Sequence, residues 1–193
     1  MQELMIDFIV SLDGYASAEG WPGYWGLEGP EYLAWLDQQP DRTVLMGATT
    51  YRLMSEMASE YADDPSFQRM ADTPKVVFSR SLEPPLTWAN SELVSDETLD
   101  VVRDLKETGT SPLRTLGSVS LCRSLLTAGL VDRFRLVVFP VITGETGRER
   151  IYDGYPDVAL DMVASRTFDG RLQLLEYRPT ILTGPPGTER TDA

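Results

Sequence analysis

The sequence predicts an α/β protein: a three-layer, doubly wound and mostly parallel sheet with antiparallel strands at its C-terminal edge. Three observations predict it. Short apolar runs alternate with segments of helical periodicity through the first two thirds of the chain, the signature of strands crossing over through helices. Several of those runs close on glycines that open the next helical segment. The last third changes to consecutive strands, two of them joined at Asp169-Gly170, a strong hairpin dipeptide. At 193 residues and 42% hydrophobic content the chain suits one sizeable core, so residues 1–182 are expected to form a single domain. Residues 183–193 carry Gly, Pro, Thr and charge without an apolar period, and a disordered tail is expected there.

Each element has a local reason. Leu4, Ile6, Phe8 and Val10 alternate in a strand over residues 4–12 that ends at the turn dipeptide Asp13-Gly14. A loop follows that holds Gly20, Trp21, Pro22, Gly23, Tyr24, Trp25 and Gly26, an aromatic cluster that reads as exposed. Pro30 suits a first helical turn, Tyr32, Leu33 and Leu36 supply the apolar stripe, and Pro40 marks the stop. Thr43 to Met46 is a strand closed by Gly47, and Tyr51, Met54, Met57 and Ala58 then recur at helical spacing. Pro74 to Ser79 reads as a buried strand. Ser95 or Asp96 can cap a helix carrying Leu99, Val102 and Leu105 before Gly109. Leu113 to Leu116 is a short strand leading into Gly117-Ser118 and a helix with Leu121, Leu125 and Ala128 that stops at Gly129. Phe134, Leu136 and Val138 begin a strand that reaches Phe139-Pro140-Val141, and two further strands run from about residue 160 to 168 and from 171 to 178. The segment Gly144-Glu145-Thr146-Gly147 with Arg148 and Arg150 reads as a solvated charged loop.

Composition excludes several functions. Thirty acidic residues against 17 basic ones give a formal charge of −13, which repels phosphate backbones and anionic lipid, so neither nucleic acid nor membrane is an expected partner. The N-terminal residues show no basic, apolar leader, and a cytoplasmic location is expected. With no histidine and the single Cys122, a Ser-His-Asp triad, a Cys-His pair, a disulfide and a histidine-based metal site are all ruled out. No metal site is expected, and Cys122 reads as a small packing residue. Proton transfer would fall to Asp, Glu, Tyr, Lys or water.

Ligands of such sheets bind beyond the carboxyl ends of the strands, which selects the loop after Leu12, the turn at Gly47, the turn after Phe78 and the turn at Gly117. Gly47-Ala48-Thr49-Thr50 and Gly117-Ser118-Val119-Ser120 place glycine and hydroxyls at strand-to-helix turns, where free N–H groups and the helix dipole attract phosphate. Any α/β protein also needs glycine turns and hydroxyl caps, and each turn alone fits that use as well. Ser79-Arg80-Ser81 is built to hold a phosphate monoester, such as the 2′-phosphate of a dinucleotide, and is equally compatible with a solvated arginine. Neither a Gly-x-Gly-x-x-Gly fingerprint nor a Walker A lysine loop is present.

Taken together, Ser11-Leu12-Asp13-Gly14-Tyr15, Leu45-Met46-Gly47-Ala48-Thr49-Thr50-Tyr51, Ser79-Arg80, Gly117-Ser118, and Gly129-Leu130-Val131-Asp132 followed by Phe139-Pro140-Val141-Ile142 resemble the dihydrofolate reductase-like superfamily. Within it they resemble the reductase domain of riboflavin biosynthesis, the C-terminal part of the bifunctional deaminase-reductases. The resemblance spans roughly residues 4 to 180. It implies an NADPH-dependent reductase that transfers a hydride to a small heterocycle or a ribose-like carbonyl or imine, as the aminouracil reductase of the riboflavin pathway does or as a pterin reductase would. A non-catalytic NADP-binding protein on the same fold is the alternative. The cofactor would meet Ala16 of the first loop, Gly47, Thr49, Thr50, Ser79, Arg80, Gly117, Ser118, Val119 and Leu121. Asp13, Trp25 and Tyr32 are the candidates on the side of the small-molecule substrate. Asp13 would orient substrate or relay a proton, unless it is a turn residue; Trp25 would stack on a flat ring, unless it anchors its loop; Tyr32 would line the site, unless it packs the helix face. A homodimer is expected, the C-terminal strands being able to pair across a twofold axis. Two departures stand out. Ala48 occupies the position where dihydrofolate reductases carry a basic residue, and Tyr32 the position of their pterin-binding carboxylate, which speaks against folate. Glu31 could take that carboxylate's place only in a rotated helix.

Overall fold

The computed structural model describes residues 1–20 and 25–187. Residues 21–24 of the aromatic loop and 188–193 of the C-terminal segment lie outside the described residues; 183–187 are bends and turns. Eight strands form one sheet in the order β5-β4-β3-β6-β1-β7-β10-β9. Its parallel part consists of β1 (Leu4–Ser11), β3 (Thr43–Gly47), β4 (Lys75–Phe78), β5 (Ser91–Val94), β6 (Leu113–Thr115) and β7 (Arg133–Phe139). The antiparallel edge is β10 (Leu172–Ile181) and β9 (Val158–Phe168). The predicted doubly wound architecture with antiparallel C-terminal strands is the one observed.

Both faces are covered, which is why the parallel strands read as near-continuous apolar runs. Leu4, Ile6, Phe8 and Val10 of β1 pack with Leu45, Val76 and Phe134 against Val102 of α4 (Thr98–Thr108) and Leu121, Cys122, Leu125 and Leu126 of α5 (Val119–Thr127). The opposite face holds two smaller clusters. One joins Val44, Met46 and Val77 to Tyr51 of α2 (Ala48–Glu60) and to Trp88, with α3 (Pro65–Asp72) at its margin. The other joins Val137, Phe139, Phe168 and Leu172 to Tyr32 of α1 (Pro30–Asp37). Asp7 sits on that face and takes a two-pronged bond from the buried Arg135 guanidinium, at 3.0 and 2.6 Å, while Gln39 accepts a third Arg135 N–H at 2.9 Å. That arrangement leaves the buried charge compensated.

The Asp169-Gly170 hairpin forms as predicted, both residues at positive φ (52° and 66°) and the Arg171 amide bonded to the Phe168 carbonyl at 2.9 Å, the geometry of a type I′ turn. Its aspartate has a second role. The Asp169 carboxylate accepts from the amides of Glu31 and Tyr32 at 3.0 and 3.2 Å, capping α1 from the far end of the chain, and the Glu31 carboxylate accepts from the Asp169 amide at 2.7 Å. A side chain at Gly29 would run into the Asp169 carboxyl, so glycine is required there.

Five elements depart from the sequence expectation. The 144–150 segment is not a free charged loop: Gly147–Arg150 is β8, paired antiparallel with β2 (Tyr15–Ala18) as a separate two-stranded ribbon. Strand β5 and helix α3 are additional, the latter capped by the Asp64 carboxylate on the Ser66 amide at 2.8 Å. Neither Ser95 nor Asp96 caps α4; Glu97 occupies that position in a left-handed conformation with φ 54°, and Asp96 is engaged elsewhere.

Candidate functional site

Parallel strands β1, β3, β4, β6 and β7 end on one rim of the sheet, where Gly47 pairs with Phe78, Ser11 with Phe139, and Thr115 with Leu45 two residues before Gly47. The two glycine turns meet at this rim. Ser118 joins them: its hydroxyl oxygen accepts from the Gly47 amide at 2.7 Å, lies 2.9 Å from the Thr50 hydroxyl and donates to the Leu116 carbonyl at 3.3 Å. One hydroxyl thereby uses its full donor and acceptor capacity. The fit is tight as well as bonded. Gly117 has φ +55° and a Cβ there would lie 2.8 Å from the Thr50 hydroxyl oxygen, while a Cβ on Gly47 would lie 3.3 Å from that of Ser118.

Both helices that leave this junction start without a side-chain cap. The cap positions of α2 and α5, Gly47 and Ser118, make no capping bond from their own side chains, and Gly117 and Ser118 are consecutive left-handed residues at φ 55° and 63°. First-turn amides left without a side-chain acceptor, with the positive ends of two helix dipoles beside them, make a place for an anion. Thr49 is exposed at this mouth and Thr50 half-buried. Val119 and Leu121 are not open to it: at 8% and 7% exposure their side chains face the core, so only their main chain is available to a ligand. Cys122 lies beneath, its thiol against the Gly117 carbonyl at 3.4 Å and pushed by burial up to about 12, where it is chemically inert at neutral pH.

The Ser79–Ser81 turn follows β4, next to the start of α2. The Ser79 hydroxyl accepts from the amides of Ser81 and Leu82 at 3.0 and 3.1 Å, which fixes the turn. Arg80 is exposed, and its guanidinium donates to the Asp96 carboxylate at 3.2 Å. Sequence reasoning passed over a second guanidinium here: Arg52 of α2 donates to the Ser81 hydroxyl at 3.1 Å.

The substrate-side candidates are dispersed around the ends of β1 and β7. The Asp13 carboxylate accepts from the amides of Thr143 and Gly144 at 3.2 and 2.8 Å, so it bonds a loop 130 residues away as well as the Ser11 hydroxyl and its own backbone amide within the turn. Burial acts to raise its pKa, but the Ser11 hydroxyl and the Gly144 and Thr143 amides outweigh that and bring it to about 2. At neutral pH it is a carboxylate, able to accept a proton or to hold a hydrogen-bond donor. Together with the ribbon of β2 and β8, the Leu12 amide on the Val141 carbonyl at 2.8 Å and Glu19 on Arg148 at 2.8 Å, this clasp ties the first loop to the 141–151 segment. Ala16 belongs to that ribbon and packs half-buried on the core.

Tyr32 is corrected by the structure. It is 1% exposed and wedged among Trp35, Phe139 and Phe168, with ring centroids 5.7 to 5.9 Å away, so its position serves packing rather than contact with a ligand. Trp25 is half-buried at φ 48° and packs its ring 5.6 Å from Phe139. Glu28, three residues on, was also missed: one carboxyl oxygen is shielded from solvent with no partner among the described residues. Glu31 has one carboxyl oxygen bonded to the Asp169 amide at 2.7 Å, which turns it toward the β9–β10 hairpin. Among the described residues no group of His, Cys, Asp or Glu could hold a metal ion, and no helix is long and apolar enough to cross a membrane.

The profile of the RibD C-terminal domain matches residues 2–174. A Bacillus subtilis (strain 168) relative, uncharacterized protein YyaP, is 27% identical over 183 residues, covering 91% of this chain and 94% of that one. A putative riboflavin biosynthesis protein from Shewanella sp. PV-4 superposes with a TM-score of 0.70 at 19% identity, covering 93% of this chain and 99% of that one. The riboflavin biosynthesis reductase of Saccharomyces cerevisiae superposes with a TM-score of 0.61 at 14% identity, over 93% of this chain and 90% of that one. These likenesses show a shared fold.

Proposed function

This chain belongs to the RibD C-terminal domain family, a family of reductase domains, and on that premise we propose that it is an NADPH-dependent reductase of a small heterocyclic or ribose-like substrate, akin to the aminouracil reductases of riboflavin biosynthesis. The observation that carries the reading is the junction of the two glycine turns through Ser118, which sets two helix N-termini side by side at one rim. An adenine dinucleotide needs such a place for its two bridging phosphates. Gly47, Thr49, Thr50, Gly117, Ser118 and the amides of Val119 and Leu121 would hold it there, with Ser79 and Arg80 toward its 2′-phosphate and Ala16 toward the nicotinamide side. When bound, NADPH supplies the hydride; this chain's residues orient it and exclude water.

The clasp of Asp13 on Thr143 and Gly144 would fix the start of the first loop beside the cofactor, and Trp25, packed on Phe139, would flank it. In this reading Asp13 acts by positioning, Trp25 offers a ring edge to the substrate, and Tyr32 supports Trp25 through their shared neighbour Phe139. A second reading, a nucleotide-binding protein without turnover, is favoured by the commitment of Asp13 to the loop and the burial of Tyr32. The dimer would form through the outer part of β9 and β10, where Leu160, Met162, Val163 and Ile181 are exposed, and the protein would act in the cytoplasm. Steady oxidation of NADPH in the presence of an aminouracil or a pterin, abolished by Trp25→Ala, supports the reductase; saturable NADPH binding without oxidation by any such compound supports the second reading.

A further inference from the structure

We infer that Arg52, rather than Arg80 alone, selects NADPH over NADH by supplying the guanidinium that Ala48 lacks; the inference rests on the nucleotide site proposed above. Residues 48 and 52 are one turn apart and share a face of α2. Helical side chains lean toward the N-terminus, so a patch of surface is covered by a residue lying further along the chain. Alanine at 48 leaves the first turn uncovered. Arg52 reaches the Ser79–Ser81 turn from that helix, its Nη2 at 3.1 Å from the Ser81 hydroxyl oxygen, which is itself 3.3 Å from the Ser79 hydroxyl oxygen.

Charge separates the two arginines. Arg80 shares its charge with Asp96 at 3.2 Å, whereas no carboxylate lies within ion-pair distance of Arg52 among the described residues. On a chain of net charge −13, the uncompensated guanidinium is the one that attracts an added phosphate dianion. A guanidinium with one donor spent on a hydroxyl retains four more, enough for a forked bond to a phosphate monoester. Arg52 is exposed, so replacing it leaves the fold intact.

The test is calorimetric titration with 2′,5′-ADP and with 5′-AMP, which differ only in the phosphate at issue. Arg52→Ala should weaken 2′,5′-ADP about 10- to 100-fold, as expected for loss of a charge-assisted bond, and leave 5′-AMP within about twofold. The double variant Ala48→Arg/Arg52→Ala should recover most of the loss, and Asp96→Asn should tighten 2′,5′-ADP by freeing Arg80. If the wild type prefers 2′,5′-ADP and Arg52→Ala keeps that preference, the assignment of Arg52 is wrong while the nucleotide site stands. If the wild type binds neither compound, the nucleotide site itself is wrong and this inference falls with it.

Discussion

Gly117→Ala tests the junction of the two turns through stability alone, with no ligand needed for the readout. The added Cβ meets two costs. Gly117 sits at φ +55°, where a side chain costs about 1–2 kcal/mol. The same atom would lie 2.8 Å from the Thr50 hydroxyl oxygen and 3.3 Å from its methyl, so Thr50 must turn away and surrender its 2.9 Å bond to Ser118, a further loss of about 1 kcal/mol. The total, about 2–3 kcal/mol, corresponds to a fall of about 5–10 °C in Tm for a chain of this size. The diagnostic background is Thr50→Ala, in which the obstructing atoms are gone and only the conformational cost remains. Gly117→Ala should therefore cost about 1 kcal/mol less there than in the wild type. Urea denaturation of the four proteins measures that coupling; equal costs in both backgrounds would mean that Thr50 and Gly117 are not packed as described.

Three further outcomes follow from the packing. Asp13 is depressed in the fold to about 2 against about 3.9 when unfolded; a lowered carboxyl pKa stabilises above the unfolded value and loses that contribution as pH falls through the folded one. The carboxyl carbon of Asp13 should therefore titrate near pH 2 by NMR, the Thr143 and Gly144 amides shifting with it, and a midpoint near 4 would refute the clasp. Lys75, 2% exposed, donates to the carbonyls of Met70, Ala71 and Thr73 at 2.5 to 3.1 Å and lies 4.6 Å from the Trp88 ring. Lys75→Ala strands those carbonyls and should cost about 2–4 kcal/mol in chemical denaturation, whereas a cost below 1 would show the ammonium to be dispensable. Tyr32→Ala should cost about 3–5 kcal/mol, as large aromatic deletions in cores do; a loss of turnover with stability unchanged would return Tyr32 to the substrate side.

The strand and helix order was legible because each parallel strand ends in a glycine turn or a polar break, and the next helix carries its own apolar period. Asp169-Gly170 located the last hairpin for the same reason: its signal is local. What escaped depends on distant partners. Gly147–Arg150 has no alternating apolar pattern and becomes a strand only because Tyr15–Ala18 lies alongside. Ser91–Val94 is too short and mixed to declare itself, and it forms by pairing with β4. Within the site, the glycine turns were visible but their joining was not, since the Gly47 amide and the Ser118 hydroxyl are 71 residues apart. Asp13 was visible as a turn residue and opaque as a clasp, its amide donors lying 130 and 131 residues away. Tyr32 carried the same helical signal whether it faced a ligand or the core, and periodicity cannot separate those. Arg52 had a readable cue in its spacing of four from Ala48, but the Ser81 hydroxyl that gives that spacing meaning belongs to another turn.

The most direct measurement is equilibrium titration of the pure protein with NADPH, followed by the fluorescence of its reduced nicotinamide. One saturable site per chain is predicted, weakened about 3- to 10-fold in Ser118→Ala as the two turns lose their shared hydroxyl. A flat titration, or a binding curve indifferent to Ser118, would contradict the claim that the paired turns grip the dinucleotide.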